Sequence, residues 1–239
     1  MDVAKPSASS LLLLLLALLT AGCESRRPVQ VPVDGEMLAG IYWQPPKPLS
    51  AALLLLPGAE AGKEDWIPLA ERLQRSGYAV LAVDLRGPGA AGEATRAADI
   101  AAAFAFLRDQ KRVDAARLAL IGAGGGADGA LRFSAREPSI HALVLLSPLA
   151  SEAAEPVEAA MAYYGWRPVL LAAGRGVPYG PRVERLARRA PGTAVVQLYD
   201  SAAQGIRLLY TSRELERAIL DFLDLHLRSP VLDTSKGGD

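Results

Sequence analysis

Five residues, Gly122-Ala123-Gly124-Gly125-Gly126, hold the spacing at which this chain could do covalent chemistry. They follow the apolar run Leu118–Ile121 and precede a small-residue stretch, 125–136, with helical character. Strand, sharp turn and helix in that order outline G-x-S-x-G, a turn that lifts a serine hydroxyl above a parallel sheet so that it can attack an acyl carbon. The third position here is Gly124, which has no side chain to attack with. The same residues fit the dinucleotide fingerprint G-x-G-x-x-A, but that pattern belongs to a first strand–helix unit with an acidic residue about 20 positions on.

A nucleophile also needs a base within hydrogen-bond reach and an acid to orient the base. The chain has two histidines. His141 begins a strand, at the sheet edge opposite the one where ligands gather, and the five residues after it put it roughly 16 Å from that edge. His226 lies late in a closing helix and reads as a polar residue of its terminal turn. Asp128 falls one helical turn beyond the glycines and reads as a helix residue. Glu152, after the next strand, is a displaced acid without a base to orient. No Cys/His metal cluster, H-E-x-x-H or G-x-x-x-x-G-K-[ST] occurs, so no metal or cofactor is expected.

The elements that must position the turn are legible in order. Val29–Val33 and Met37–Trp43 flank Asp34-Gly35, a hairpin signal. Gln44–Ser50, with three prolines, is a loop. Strands are expected at Ala51–Leu56, Tyr78–Val83, Leu118–Ile121, His141–Leu146, Pro168–Ala173 and Ala194–Tyr199. Helices are expected at Trp66–Arg75, Ala94–Leu107, Gly125–Arg136, Ala153–Tyr164, Arg182–Arg189 and Arg213–Leu227, the last with Leu215, Ile219, Phe222 and Leu223 inward. Apolar strands without polar alternation, separated by helices, indicate a parallel sheet covered on both faces. The fold class is therefore α/β: a mostly parallel sheet of about eight strands with an N-terminal β-hairpin.

At 239 residues the chain suits one such domain, and 26 basic against 26 acidic residues give no reason to expect nucleic acid. Leu11–Leu19 is an unbroken Leu/Ala run, long enough for a signal-peptide core and too short to span a bilayer. It leads into Leu19-Thr20-Ala21-Gly22-Cys23, whose Cys23 is the chain's single cysteine. This resembles a bacterial lipobox, with Thr20 where leucine is commonest. The resemblance implies cleavage before Cys23 and diacylation of its thiol. The expected organisation is a signal peptide over 1–22, a tether over 23–28, one domain over 29–228 and a flexible tail over 229–239. With a single cysteine, no disulfide forms within the chain.

Several stretches together resemble the α/β-hydrolase superfamily, and most closely its small members related to dienelactone hydrolases and short esterases. Leu53-Leu54-Leu55-Leu56-Pro57-Gly58 is similar to the strand leading into the oxyanion loop. Gly77–Gly89, ending Asp84-Leu85-Arg86-Gly87-Pro88-Gly89, is similar to the strand running into D-x-R-G-H-G, with Pro88 replacing histidine. Arg167–Gly174 is similar to the strand before the catalytic acid. The resemblance implies a nucleophile at 124, an acid within Gly174-Arg175-Gly176-Val177-Pro178, and a base within Ser201-Ala202-Ala203-Gln204-Gly205. Those positions hold Gly124, Val177 and Gln204.

The expectation is thus a non-catalytic hydrolase fold on the periplasmic side of a bacterial membrane, anchored through Cys23, with Glu24 favouring the outer membrane. Its crevice would be lined by Pro57, Gly58, Ala59, Glu60, Arg86, Pro88, Gly124, Gly125, Val177 and Gln204. The partners in view are a small anionic or acyl ligand, or an envelope protein. The arginine series 182, 185, 188 and 189 reads as a solvated helix face able to meet anionic lipid. The alternative is a serine-hydrolase-like esterase acting on small esters through an unrecognised site.

Overall fold

The computed structural model describes residues 25–59, 61–86, 92–149, 156–175 and 179–228. Cys23, the apolar run before it and the tail beyond 228 lie outside them. Eight strands form one sheet: β1 (Arg26–Val33), β2 (Glu36–Trp43), β3 (Ser50–Leu56), β4 (Ala79–Val83), β5 (Val113–Ala123), β6 (Ile140–Leu146), β7 (Val169–Gly174) and β8 (Ala194–Tyr199). Their order is β1-β2-β4-β3-β5-β6-β7-β8, with β2 antiparallel to both neighbours and β3 through β8 parallel. The helices are α1 (Ile67–Arg75), α2 (Glu93–Arg108), α3 (Gly125–Arg136), α4 (Val157–Tyr164), α5 (Tyr179–Ala187), α6 (Arg207–Thr211) and α7 (Arg213–Leu227). This is the α/β-hydrolase fold.

The unbroken apolar strands are explained by burial on both faces. Along β3, Leu54 and Leu56 pack into the layer made by α2, α3, α4 and α5, while Leu53 and Leu55 pack into the layer of α1 and α7. Successive side chains of a strand point to opposite faces, so a strand covered twice needs apolar residues at every position. The hairpin turns at Asp34 (φ 49°) and Gly35 (φ 79°), the two left-handed residues that a tight turn between twisted strands requires.

Arg26, Arg27 and Pro28, read as tether, are the first residues of β1. An edge strand tolerates both proline and charge, because only one of its sides must pair. β5 begins at Val113, five residues earlier than its apolar segment suggested, and α6 had no signal in the sequence. At the amino ends of the parallel strands, Arg167 donates to the carbonyls of Ser134, Glu137, Ile140 and Tyr164 and stacks over the Tyr164 ring at 4.2 Å. Burial lowers its pKa, and the four carbonyls account for a half-buried guanidinium at that position.

Candidate functional site

The glycine turn sits at the carboxyl edge of the sheet. β5 ends at Ala123, Gly124 takes φ 54° and ψ −122°, and α3 starts at Gly125. The Gly124 N–H donates to Leu146 O at 2.9 Å, tying the turn to β6. Glycines 122 and 126 are there for one reason and Gly124 for another. A Cβ on Gly122 would lie 2.5 Å from the Gly126 carbonyl oxygen, and one on Gly126 would lie 2.4 Å from the oxygens of Leu56 and Pro57. Both positions exclude any side chain. A Cβ on Gly124 would meet only Gly58 Cα, at 3.8 Å. The turn therefore keeps the room and the positive-φ backbone in which a nucleophile would stand, and carries hydrogen there instead.

Three loops converge on it. Gly58, after β3, is so close that its own Cβ would lie 3.2 Å from Ala123 O. Gly205 (φ 53°), after β8, would place a Cβ 3.6 Å from Gly124 N. A Cβ on Gly174, at the end of β7, would lie 2.2 Å from Ser201 O, so the loops after β7 and β8 are in contact. Gln204 is exposed beside Gly205. Val177, Glu60, Pro88 and Glu152 lie outside the described residues. Both histidines are at the opposite edge: His141 is the second residue of β6, and His226, in the last turn of α7, packs edge-to-face on Phe222 at 4.7 Å. Ser147, just past β6, has φ 47° and a buried hydroxyl with no hydrogen-bond partner among the described residues, and no imidazole is near to activate it.

The cavity lies to one side of the turn. A cleft of about 720 Å³ is walled by Pro57, Gly58 and Ala59, by Asp84, Leu85 and Arg86, and by facing residues of α2 and α3. Pro57, Gly58, Ala59, Arg86 and Gly125 were expected in it and line it; Gly124 and Gln204 are not among its lining residues. The displacement has a steric cause. Ala94, Ala97 and Gly129 leave the space between the two helices open, and at Gly129 a Cβ would already lie 2.9 Å from Ile100 Cδ1, which closes the floor.

The cleft's walls are mainly apolar (Pro57, Leu85, Ile100, Phe133, Leu149) with charged groups at defined places. Arg86 is fastened by Asp99, fully buried in α2, through its backbone N–H at 2.8 Å and Nε at 2.7 Å, and by Asp34 at 2.9 Å. The bond to Asp99 and then that to Asp34 hold its proton more tightly than an ordinary guanidinium's. Asp84 receives Lys63 Nζ at 2.6 Å. Arg132 pairs with Glu93 at 3.1 Å, and Asp128, set aside in the sequence, is buried in the same wall. Sequence periodicity gave no sign of Asp99, since it shows that a face is inward and not what that face meets. Among the described residues no three His, Cys, Asp or Glu side chains form a metal-binding group, and no helix is long and apolar enough to cross a membrane.

Residues 51–210 match the family model described as alpha/beta hydrolase fold, and the chain belongs to that family. Two uncharacterized proteins of Mycobacterium tuberculosis, from strains CDC 1551 and H37Rv, are each 35% identical over 161 residues, covering 64% of this chain and 54% of theirs. The chain thus spans about half the length of the curated relatives it matches. Among solved structures, a dienelactone hydrolase from Anabaena variabilis superposes with a TM-score of 0.72 at 17% identity, covering 86% of this chain and 100% of that one. An esterase of Pyrococcus furiosus gives 0.72 at 17% identity, over 95% and 97% of the two chains. Identities this low speak to the shared fold.

Proposed function

We propose that this chain is a non-catalytic member of the α/β-hydrolase family, held on the periplasmic side of a bacterial envelope by lipid on Cys23, which binds a small acyl carboxylate instead of cleaving an ester. The observation that carries the reading is Gly124: a turn with the backbone and the space for a nucleophile, and no side chain. Val177 and Gln204 at the positions of acid and base, and two histidines both at the far edge, agree with it. A hydrolase without its triad retains only about 10³–10⁴-fold acceleration over water from binding and oxyanion stabilisation, too little for useful ester turnover.

The binding role rests on the cleft. Apolar walls suit an acyl chain. The first N–H groups of α3, which have no intrahelical acceptor, and the guanidinium of Arg96 suit its carboxylate. The test is a fluorophosphonate probe and p-nitrophenyl ester turnover on the purified protein, beside thermal shift against a series of fatty acids. No labelling, no turnover and a chain-length-dependent rise in melting temperature are expected. At a ligand concentration of about 100 Kd the gain is about 2.7 kcal/mol, worth roughly 5–11 °C for a domain of this size. Covalent labelling of any serine would overturn the non-catalytic reading, and a flat thermal-shift series would overturn the acyl ligand.

A further inference from the structure

The topology sorts charge between the two edges of the sheet. Every helix from α1 to α5, and α7, ends at the amino edge of the parallel strands, and basic residues favour helix C-termini because they offset the partial negative charge there. Lys47, Arg75, Lys111, Arg188 and Arg189 stand on this edge, exposed and without an ion pair among the described residues. Most acids nearby are engaged: Asp109 with Arg108, Asp114 with Arg117, Glu137 with Ser139, and Asp224 with Tyr78 and Arg228, while Glu184, one helical turn before Arg188, is exposed. A chain with no net charge overall thus presents an excess of cations on one edge.

Apolar side chains are exposed on the same edge. Of the six large hydrophobic residues left exposed among the described residues, four are found there: Leu49, Tyr163, Trp166 and Leu225. Trp166 is 82% exposed. The segment around Gly192 lies flat against its backbone, since a Cβ on Gly192 would come 2.3 Å from Trp166 O, and Arg188 and Arg189 are three to four residues before that contact. Arg182 and Arg185, earlier in the same series, are occupied by Leu149 O and Glu158, so only the last two arginines are available to a partner.

The tether points the same way. Ser25 is held at the amino edge by Gln44 N–H at 2.7 Å, and Cys23 is two residues upstream, a reach of about 7 Å. The carboxyl edge and its cleft are more than about 20 Å away along strands of seven residues. We propose that the amino edge of the sheet is a docking surface for an anionic phospholipid bilayer, with Trp166 and Tyr163 at headgroup depth, Arg188 and Arg189 on the lipid phosphates, and the cleft turned to the aqueous side. The proposal rests on the reading of Cys23 as the lipid-bearing residue for its orientation, and on the edge itself for its chemistry. Aromatic rings beside basic side chains are the composition that interfaces of this kind favour.

The chain carries its own reporter, because Trp43 and Trp66 are buried and Trp166 is the third of three tryptophans. The full chain is reconstituted with vesicles of phosphatidylcholine alone or with about one-third phosphatidylglycerol. Flotation reads attachment, and acrylamide quenching reads whether Trp166 is covered; Trp166→Phe assigns the signal. Loss of most of the quenching only with phosphatidylglycerol is expected, reversed in about 1 M NaCl, where the Debye length is about 3 Å. The double variant Arg188→Glu/Arg189→Glu, at exposed unpaired positions, should restore quenching and weaken salt-sensitive attachment about tenfold or more. Flotation with Trp166 equally quenchable on both vesicles would overturn the docking face and leave the anchor standing. Phosphatidylglycerol-dependent protection with an unmodified Cys23 by mass spectrometry would support the face and overturn the anchor. Failure to float with either vesicle would overturn both. Protection that grows with protein concentration in the absence of lipid would assign the face to a second copy and overturn the bilayer.

Discussion

Replacing Gly126 by alanine places a Cβ 2.4 Å from two backbone oxygens, Leu56 O and Pro57 O, and 2.8 Å from Leu56 C. Ordinary contacts begin about 1 Å further out, and none of the three atoms can swing away as the end of a flexible side chain could. The end of β3 or the first turn of α3 must therefore move, within layers that are buried throughout. Overpacking of a core costs about 1–3 kcal/mol, and an immovable backbone neighbour sets this case at about 3 kcal/mol or above. Gly124→Ala is the control. Its Cβ has open space, so its cost is backbone strain of about 1–3 kcal/mol at a positive φ, offset by about 0.4–1 kcal/mol of reduced freedom in the unfolded chain. Urea unfolding of the two variants should give a loss for Gly126→Ala larger by about 1–2 kcal/mol. At about 2–4 °C per kcal/mol the melting temperatures should separate by several degrees. Equal losses, or the reverse order, would refute the assignment of Gly126 to steric closure and Gly124 to conformation alone.

Ser147 combines a left-handed backbone with an orphaned buried hydroxyl, so Ser147→Gly should leave stability unchanged or raise it by about 1 kcal/mol, and a loss above that in urea unfolding would reveal a partner for the hydroxyl. Arg167→Ala strips a charged donor from four carbonyls and should cost roughly 2–4 kcal/mol, read as a shift in urea midpoint; a cost within about 0.5 kcal/mol would mean that water replaces the guanidinium. Burial lowers the pKa of His226, so the unfolded chain binds its proton more readily than the folded one. Stability should fall as pH drops through the unfolded value of about 6.5 and level off below the folded value, and His226→Gln should remove that part of the decline. Identical pH profiles for the variant and the parent would show that the imidazole titrates alike in both states.

The alternation of short apolar runs and helical periods was sufficient for the fold class and for α3, β8 and α7 to the residue. The turn at Gly122–Gly126 was legible because its signal is local: a strand, small residues where backbones touch, and a helix. Legibility ended where contacts became distant in sequence. Proline and two arginines disguised the start of β1, whose pairing partner at Trp43 lies 17 positions on. The Asp99–Arg86 clamp reads in sequence as one more acid on a helix and one more arginine in a loop, since nothing in periodicity says which face of α2 will meet which loop.

What the sequence by itself determined is the frame and the residues that stand in it. The order of strands and helices follows from patterns that repeat every two or 3.6 residues, and Gly124 is glycine whatever surrounds it. Tertiary structure decided where the empty space is and which way the charges face. A cavity is the gap left when α2 and α3 meet across Gly129 and Ile100, so it belongs to neither helix alone. The basic edge likewise arises because a parallel sheet sends the carboxyl ends of its helices to one side, gathering cations spread over more than 140 positions of the chain, from Lys47 to Arg189.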